Sequence, residues 1–295
     1  MSRRENRVSI THFLNGVGVA LEGLETIAER RCRKYHLSLF RHSELGKVLV
    51  LDGDIQHVEA WSALYHETLV HLAASFVPVV KSVAILGGGS LFAALEVLKY
   101  TSAQRVLMFD HDPFVLETMA EFYPHARACM LDDRLEIQNR DAYLALERHQ
   151  GEFDLVVNDA ADLLTIDRNK TGRGAFAKMA RSLTTKGACA DVIHRHVFEQ
   201  RHVRRTIRKL RTFRSAFSLI FIPEYHGVLH LLSIWGKQTC LISQTAKNPI
   251  NREQRKWLSV PSSSPCVYFD PRFISYYLYL PPYFRKATRL RGKVV

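Results

Sequence analysis

The sequence predicts an α/β fold: a Rossmann-like, doubly wound, mostly parallel sheet preceded by a small N-terminal β-rich lobe. Three observations carry that expectation. Apolar runs and helical patterns alternate from residue 83 to residue 158, a triple glycine (Gly87-Gly88-Gly89) follows the first run, and aspartates stand at the ends of the runs after it. Parallel strands need long crossovers, usually helical, so the alternation specifies parallel pairing with helices on both faces.

Each element has a local reason. The first 56 residues alternate short apolar segments with charges (ITHFL, HLSLFRH, KVLVLDGDIQ), and Leu51-Asp52-Gly53-Asp54 reads as a turn between two strands. Trp61–Phe76 places Leu64, Leu69, Leu72 and Ala73 broadly at helical spacing and stops before Pro78, giving a helix that joins lobe to main domain. Strands are then expected at Val83–Leu86, Arg105–Phe109, Leu135–Gln138 and Phe153–Asn158, separated by helices at Leu91–Tyr100, Pro113–Phe122 and Ala142–His149. Ala188–Ile193 continues the sheet. Phe217–Ile222 and Leu229–Trp235 are separated by PEYHGV, short enough for a hairpin, so the sheet is expected to end on an antiparallel strand. The expected division is a β lobe over 1–60 and a catalytic domain with a C-terminal tail over 61–295. In that tail PSSSP (261–265) is loop, and the aromatic segment YFDPRFISYYLYLPPYF packs back over the fold or forms an oligomer contact.

Composition narrows the function classes. Apolar residues at 47% and charged residues at 24% are ordinary globular usage and argue against a disordered or collagenous chain. No run of 18 uncharged apolar residues occurs, and the start shows no clean leader pattern, so neither membrane spanning nor secretion is expected. Five widely spaced cysteines without a CxxC pair suggest neither a zinc site nor a disulfide framework, and His194 and His196 lie too close for the usual ligand motifs. No metal is expected, and the cytoplasm is the default compartment. The 41 Lys and Arg outnumber the 29 Asp and Glu, giving +12, a field that attracts anions and slows the approach of cations. Arg195–Arg214 carries seven Arg and one Lys against one Glu, with Val197, Val203, Ile207, Leu210 and Phe213 as a helical apolar stripe. We read it as the solvated face of a helix packed on the sheet rather than as a dedicated nucleic-acid surface.

The chemistry concentrates at the strand ends. Glycines 87–89 let a ligand approach the backbone, and Asp110, 24 residues after Leu86, stands where an acid reaches ribose hydroxyls in nucleoside-binding sheets. Asp141 follows the third strand and Asp159 the fourth. Any one of these aspartates alone would be read as a helix N-cap. Together they line the carboxyl edge where open α/β sheets bind ligands.

With these residues in place, the chain resembles the spermidine synthase (aminopropyltransferase) family, a branch of the class I S-adenosylmethionine-dependent methyltransferase fold. The likeness spans about residues 35 to 290. It rests on LVLDGDIQ (49–56), Tyr65-His66-Glu67, ILGGGS (85–90), FDHD (109–112), RDA (140–142), VNDAADLL (157–164), IPEYHG (222–227) and FDPRF (269–273). By that likeness Gly87, Gly88, Gly89 and Ser90 cradle the donor, Asp110 holds its ribose hydroxyls, Asp141 the adenine amine, and Gln56 and His66 line its pocket. Asp159 is implied beside both the donor and the acceptor nucleophile, with Asp162 and Tyr65 as its catalytic neighbours, and Tyr65, Glu67, Asp162 and Tyr225 are implied to contact the acceptor. The family also implies a homodimer.

Departures from the family bear on substrate. Polyamine-forming members have an acid directly after the triple glycine, where it binds the amine of the aminopropyl tail; here it is Ser90, followed by Leu91-Phe92 in place of a small, Gly-rich continuation. Related plant putrescine methyltransferases also lack the acid, so the resemblance points to intact S-adenosylmethionine as donor. Asp159-Ala160-Ala161-Asp162-Leu163 replaces the family's Asp-Ser-Ser-Asp-Pro, keeping both carboxylates. The resulting expectation is transfer of a 3-amino-3-carboxypropyl or methyl group to a small acceptor, with a phosphate- or carboxylate-bearing one better suited to the charge. The alternatives are a true aminopropyltransferase using decarboxylated S-adenosylmethionine, its tail amine held by Asp162 or Glu67, and a catalytically inactive nucleoside- or RNA-binding protein.

Overall fold

The computed structural model describes residues 10–14, 17–31, 35–160, 174–193, 200–224, 228–237 and 265–288. The chain divides into two compact units, one running to Tyr65 and including Phe221–Leu229, the other comprising His66–Ile220 and the chain from His230 onward.

In the first unit β1 (Ile10–Leu14) and β2 (Val17–Leu21) form one antiparallel pair. A four-stranded antiparallel sheet follows, built from β3 (Glu25–Arg31), β4 (His36–His42), β5 (Gly46–Leu51) and β6 (Asp54–Val58) in that order. The β5–β6 turn has Asp52 at φ 50° and Gly53 at φ 87°. Two consecutive positive φ values match the twist of the flanking strands, which is why Asp-Gly is placed there. The Asp52 carboxylate accepts the His36 N–H at 2.8 Å, tying the turn to β4. Leu21, Leu24, Phe40, Val48, Val50, Ile55 and Val58 pack as this unit's own core.

The second unit is built on a seven-stranded sheet in the order β12 (Arg214–Ile222), β13 (Val228–Gly236), β11 (Leu183–Ile193), β10 (Phe153–Asp159), β7 (Ser82–Gly87), β8 (Arg105–Asp110), β9 (Leu135–Asn139). Strands β7 to β11 are parallel and β13 runs antiparallel to β11. The expected antiparallel strand is therefore present, but it inserts between β11 and β12 instead of closing the edge. Val83–Leu86 and Val106–Phe109 are fully buried, as strands covered on both faces must be. From β7 the order runs outward through β8 and β9 on one side and β10 and β11 on the other. That reversal opens a crevice at the carboxyl ends of β7 and β10.

The helices follow the expected alternation with informative differences. α1 (Ser62–Glu67) continues into a π-helical turn over Thr68–Leu72, and α2 (Phe92–Leu98) follows the glycine turn. α3 (Pro113–Phe122) is followed after one residue by α4 (Pro124–Met130), which the sequence reading did not anticipate. Pro124 follows the end of α3 and opens α4, since proline suits the first turn of a helix, where its missing N–H costs nothing. α5 (Ala142–Ala145) runs into a short 3-10 turn. α6 (Ala175–Ser182) precedes β11 and also escaped the sequence reading. The basic segment forms α7 (Gln200–Lys209) and passes through a 3-10 turn into β12 at Arg214; residues 194–199 lie outside the described residues. Val203, Ile207 and Leu210 are buried in one cluster with Phe217 and Trp235, while Arg201, Arg205, Arg208 and Arg211 are exposed. The apolar stripe thus serves packing and the arginines face solvent. No helix among the described residues is long and apolar enough to cross a membrane.

Candidate active site

The glycine turn is built so that side chains would not fit. Gly87 and Gly88 adopt φ 75° and 84°, a region open mainly to glycine. A Cβ at Gly87 would lie 2.8 Å from the Asp159 carbonyl oxygen, and one at Gly89 would lie 3.1 Å from Asp110 Oδ2. One at Gly88 would lie 3.0 Å from Ile85 Cγ2 and 3.4 Å from Asp159 Oδ2. The turn is a bare backbone surface with two carboxylates pressed against it. Because the obstacle at Gly87 is backbone, Gly87→Ala is expected to cost about 2 kcal/mol or more. Urea unfolding checks this, and an unchanged midpoint would contradict the geometry.

Each aspartate is held differently. Asp110, at the end of β8, accepts the Asp112 N–H at 2.8 Å and the Gly89 N–H. Burial nonetheless pushes its carboxyl above the ordinary range, a state that hydroxyl donors would relieve. Asp141 caps α5, its Oδ1 accepting the N–H groups of Tyr143 and Leu144 at 3.0 Å each. The single-residue reading as a cap is thus correct for Asp141. Asp159 ends β10 with a nearly buried side chain whose Oδ2 lies 3.7 Å from His66 Nε2. A buried chain of hydrogen bonds runs through Tyr143 and Asn158, sequence neighbours of Asp141 and Asp159. The Tyr143 hydroxyl donates to Asn158 Oδ1 at 2.9 Å, and Asn158 Nδ2 donates to Asp191 Oδ1 at 2.8 Å.

His66 is buried and stacks on Phe92, with ring centroids 5.4 Å apart. Ser90 is half-buried, and its carbonyl accepts from His125 Nε2 at 3.1 Å. Gly87, Gly88, Gly89, Ser90, His66, Asp110 and Asp159 are therefore brought around one turn. Gln56 on β6 and Tyr65 on α1 belong to the first unit; the Gln56 amide donates to the Asp54 carbonyl at 3.3 Å, and the Tyr65 ring is buried. Asp162 and Tyr225 lie outside the described residues.

Glu67 is placed elsewhere than expected. Its Oε1 accepts the N–H of Val267 at 2.9 Å, and its Oε2 accepts those of Tyr268 and Phe269 at 2.8 Å each. Both oxygens are committed to anchoring the tail, so Glu67 is corrected from a substrate contact to a structural clamp. Close by, His71 bonds the Tyr100 hydroxyl and Glu96 at 2.8 Å each, and Lys99 Nζ lies 2.6 Å from the same Glu96 oxygen. The ligand atoms of His71, Glu96 and Cys266 come within 4.8 Å of one another. Lys99 already supplies the cation there, and burial pushes the Cys266 thiol up to about 12, so the cluster is an ion-paired hydrogen-bond network.

Glu224 stands next to Tyr225 in IPEYHG. It is buried, its Oε2 meets no hydrogen-bond partner among the described residues, and desolvation raises its carboxyl to about 7. The folded state then binds a proton more tightly than the unfolded chain, so this group's contribution to stability falls as pH rises from about 4.3 to about 7. Glu224→Gln is expected to flatten that slope and to raise stability above pH 7 by on the order of 3 kcal/mol, leaving it unchanged near pH 4. Parallel unfolding curves for the two proteins at pH 4 and 8 test this; equal differences at both would refute it.

Comparison with known proteins follows the same outline. Residues 62–245 match the family model described as spermine/spermidine synthase domain. The chain is 27% identical over 205 residues to polyamine aminopropyltransferase 1 of Aquifex aeolicus, covering 68% of this chain and 73% of that one. It is 28% identical over 242 residues to putrescine N-methyltransferase 2 of Nicotiana attenuata, covering 79% of this chain and 63%, less than two thirds, of that protein. The crystal structure of spermidine synthase from Thermotoga maritima superposes with a TM-score of 0.80 at 19% identity, covering 99% of each chain, which establishes the fold.

Proposed function

Since the chain belongs to the spermine/spermidine synthase domain family, we propose that it transfers an alkyl group from intact S-adenosylmethionine to a nucleophile on a small acceptor. The observation that carries this reading is Ser90, an uncharged residue directly after a glycine turn flanked by the Asp110 and Asp159 carboxylates. A surface without side chains, bounded by a partly desolvated carboxylate that hydroxyl donors would relieve, suits an adenosyl group. In this reading Gly87, Gly88, Gly89, Asp110 and Asp141 hold the nucleoside, His66 borders the donor pocket and Asp159 faces the acceptor, while the roles of Gln56 toward the donor and of Tyr65, Asp162 and Tyr225 toward the acceptor rest on the family likeness alone. With no acid at position 90, a donor carboxylate meets no like charge there.

The chemistry asks for positioning more than activation. A sulfonium carries its own leaving group: a carbon–sulfur bond breaks, its electron pair returns to sulfur, and the acceptor's lone pair forms the new bond. The acceptor then sheds one proton. Asp159 orients the acceptor and accepts that proton, passing it to solvent.

A second reading has specific support. The Aquifex relative is named an aminopropyltransferase, and aminopropyl transfer from decarboxylated S-adenosylmethionine would use the same turn. The acceptor divides along similar lines. The names of the relatives point to polyamines, whereas the +12 charge favours an anionic acceptor on encounter. Calorimetry with the two donors, then mass spectrometry of the product, tests the proposal. Tighter binding of the intact donor and a methyl or aminocarboxypropyl mass increment are expected. Tighter binding of the decarboxylated donor with an aminopropyl increment would replace the first reading with the second.

A further inference from the structure

The short helix α4 lies against the residues that follow the glycine turn. His125 on α4 donates from Nε2 to the Ser90 carbonyl at 3.1 Å, and Cys129, one turn later, donates its thiol to the Leu91 carbonyl at 3.9 Å. Two successive peptide groups are thereby gripped from one helix. Between them Leu91 is forced to φ 63°, left-handed backbone that a non-glycine residue enters only at a cost. Leu91 is also fully buried, and its N–H donates to the Gly88 carbonyl at 2.7 Å, closing the turn around Ser90. Phe92 completes the arrangement: its ring lies 3.8 Å from His125 and 5.4 Å from His66, centroid to centroid. His66 in turn approaches Asp159. A column of three rings thus connects the carboxylate at the end of β10 to the peptide carrying Ser90.

We propose that His125 is a positioning residue for donor selection, acting through Ser90 and supported by Phe92. This rests on the reading that Ser90 sits beside the donor's amino-acid end. Discrimination between donors that differ by one carboxylate requires the side chain at position 90 to stand in one place. The backbone there is strained at Leu91, and Ser90 itself lies in a turn outside the strand and the helix, tied locally by the Leu91 N–H to the Gly88 carbonyl and by the start of α2. The His125 hydrogen bond to the Ser90 carbonyl and the ring column add a constraint on the Ser90 peptide from outside the turn.

The test is the ratio of dissociation constants for S-adenosylmethionine and its decarboxylated form, measured by calorimetry on His125→Ala, His125→Gln and Phe92→Leu in the full chain. His125→Ala is expected to move the ratio toward one by about tenfold, the scale of one hydrogen bond. His125→Gln, which keeps an N–H donor, retains most of it, and Phe92→Leu falls between. If both donors weaken by the same factor in His125→Ala, or if Gln fails to rescue the ratio in a protein whose melting temperature is unchanged, His125 is merely structural and the proposal is overturned. A wild-type ratio favouring the decarboxylated donor would instead overturn the donor reading, while the proposal about His125 would still stand or fall on whether its variants change that ratio. Binding of neither donor by the wild type would remove both.

Discussion

Ser90→Asp is expected to invert the donor preference. Two like charges about 4 Å apart at an effective dielectric near 20 repel by roughly 4 kcal/mol, about a thousandfold in affinity. An acid at position 90 would stand at the donor's amino-acid end, where it penalises a carboxylate and attracts an isolated ammonium. The intact donor should therefore lose most of its affinity and the decarboxylated donor should gain. The substituted position is half-buried on a turn whose neighbours are already fixed by hydrogen bonds, so screening by water is partial. Calorimetric titration with each donor provides the readout. If intact S-adenosylmethionine binds the variant as well as the wild type, position 90 is not beside its carboxylate and the donor assignment fails.

Asp159→Asn is expected to lower turnover by about a hundredfold or more, the usual scale for losing a positioned proton acceptor. The carboxylate is nearly buried at the end of β10, with Oδ2 facing both the glycine turn and His66. An amide keeps the shape and one acceptor oxygen but cannot take a proton from the acceptor. The loss should appear in kcat, with donor affinity changed much less because the glycines and Asp110 are untouched. Steady-state kinetics with the acceptor identified by mass spectrometry decides the matter. An unchanged kcat would show that the acceptor proton leaves directly to solvent and that Asp159 only shapes the turn.

How much of this could be read in advance depends on whether the signal is local. The Asp52-Gly53 turn, the strand and helix alternation and the glycine turn were legible because each is dictated by backbone sterics or by hydrophobic period over a few residues. α4 was missed because Pro124 is ambiguous, ending one helix and beginning the next. The insertion of β13 beside β11 could not be read either, since a hairpin's sequence fixes the pairing of its own strands and not which of them joins the sheet. Glu67 illustrates the same limit. Its partners are the N–H groups of residues 267–269, about 200 positions away, and backbone donors carry no sequence signature.

By itself the sequence determined the doubly wound architecture, the glycine turn and the aspartates at the strand ends, because these follow from periodicity and from residue types whose conformational range is narrow. Only the tertiary structure decided which acid does what. It set Asp159 and Asp110 against the bare turn, spent an oxygen of Asp141 on a helix cap, and turned Glu67 to the tail. It also stacked Phe92 and His125 behind Ser90. A carboxylate's role is fixed by the donors and charges packed around it, and those arrive from parts of the chain that no local pattern connects.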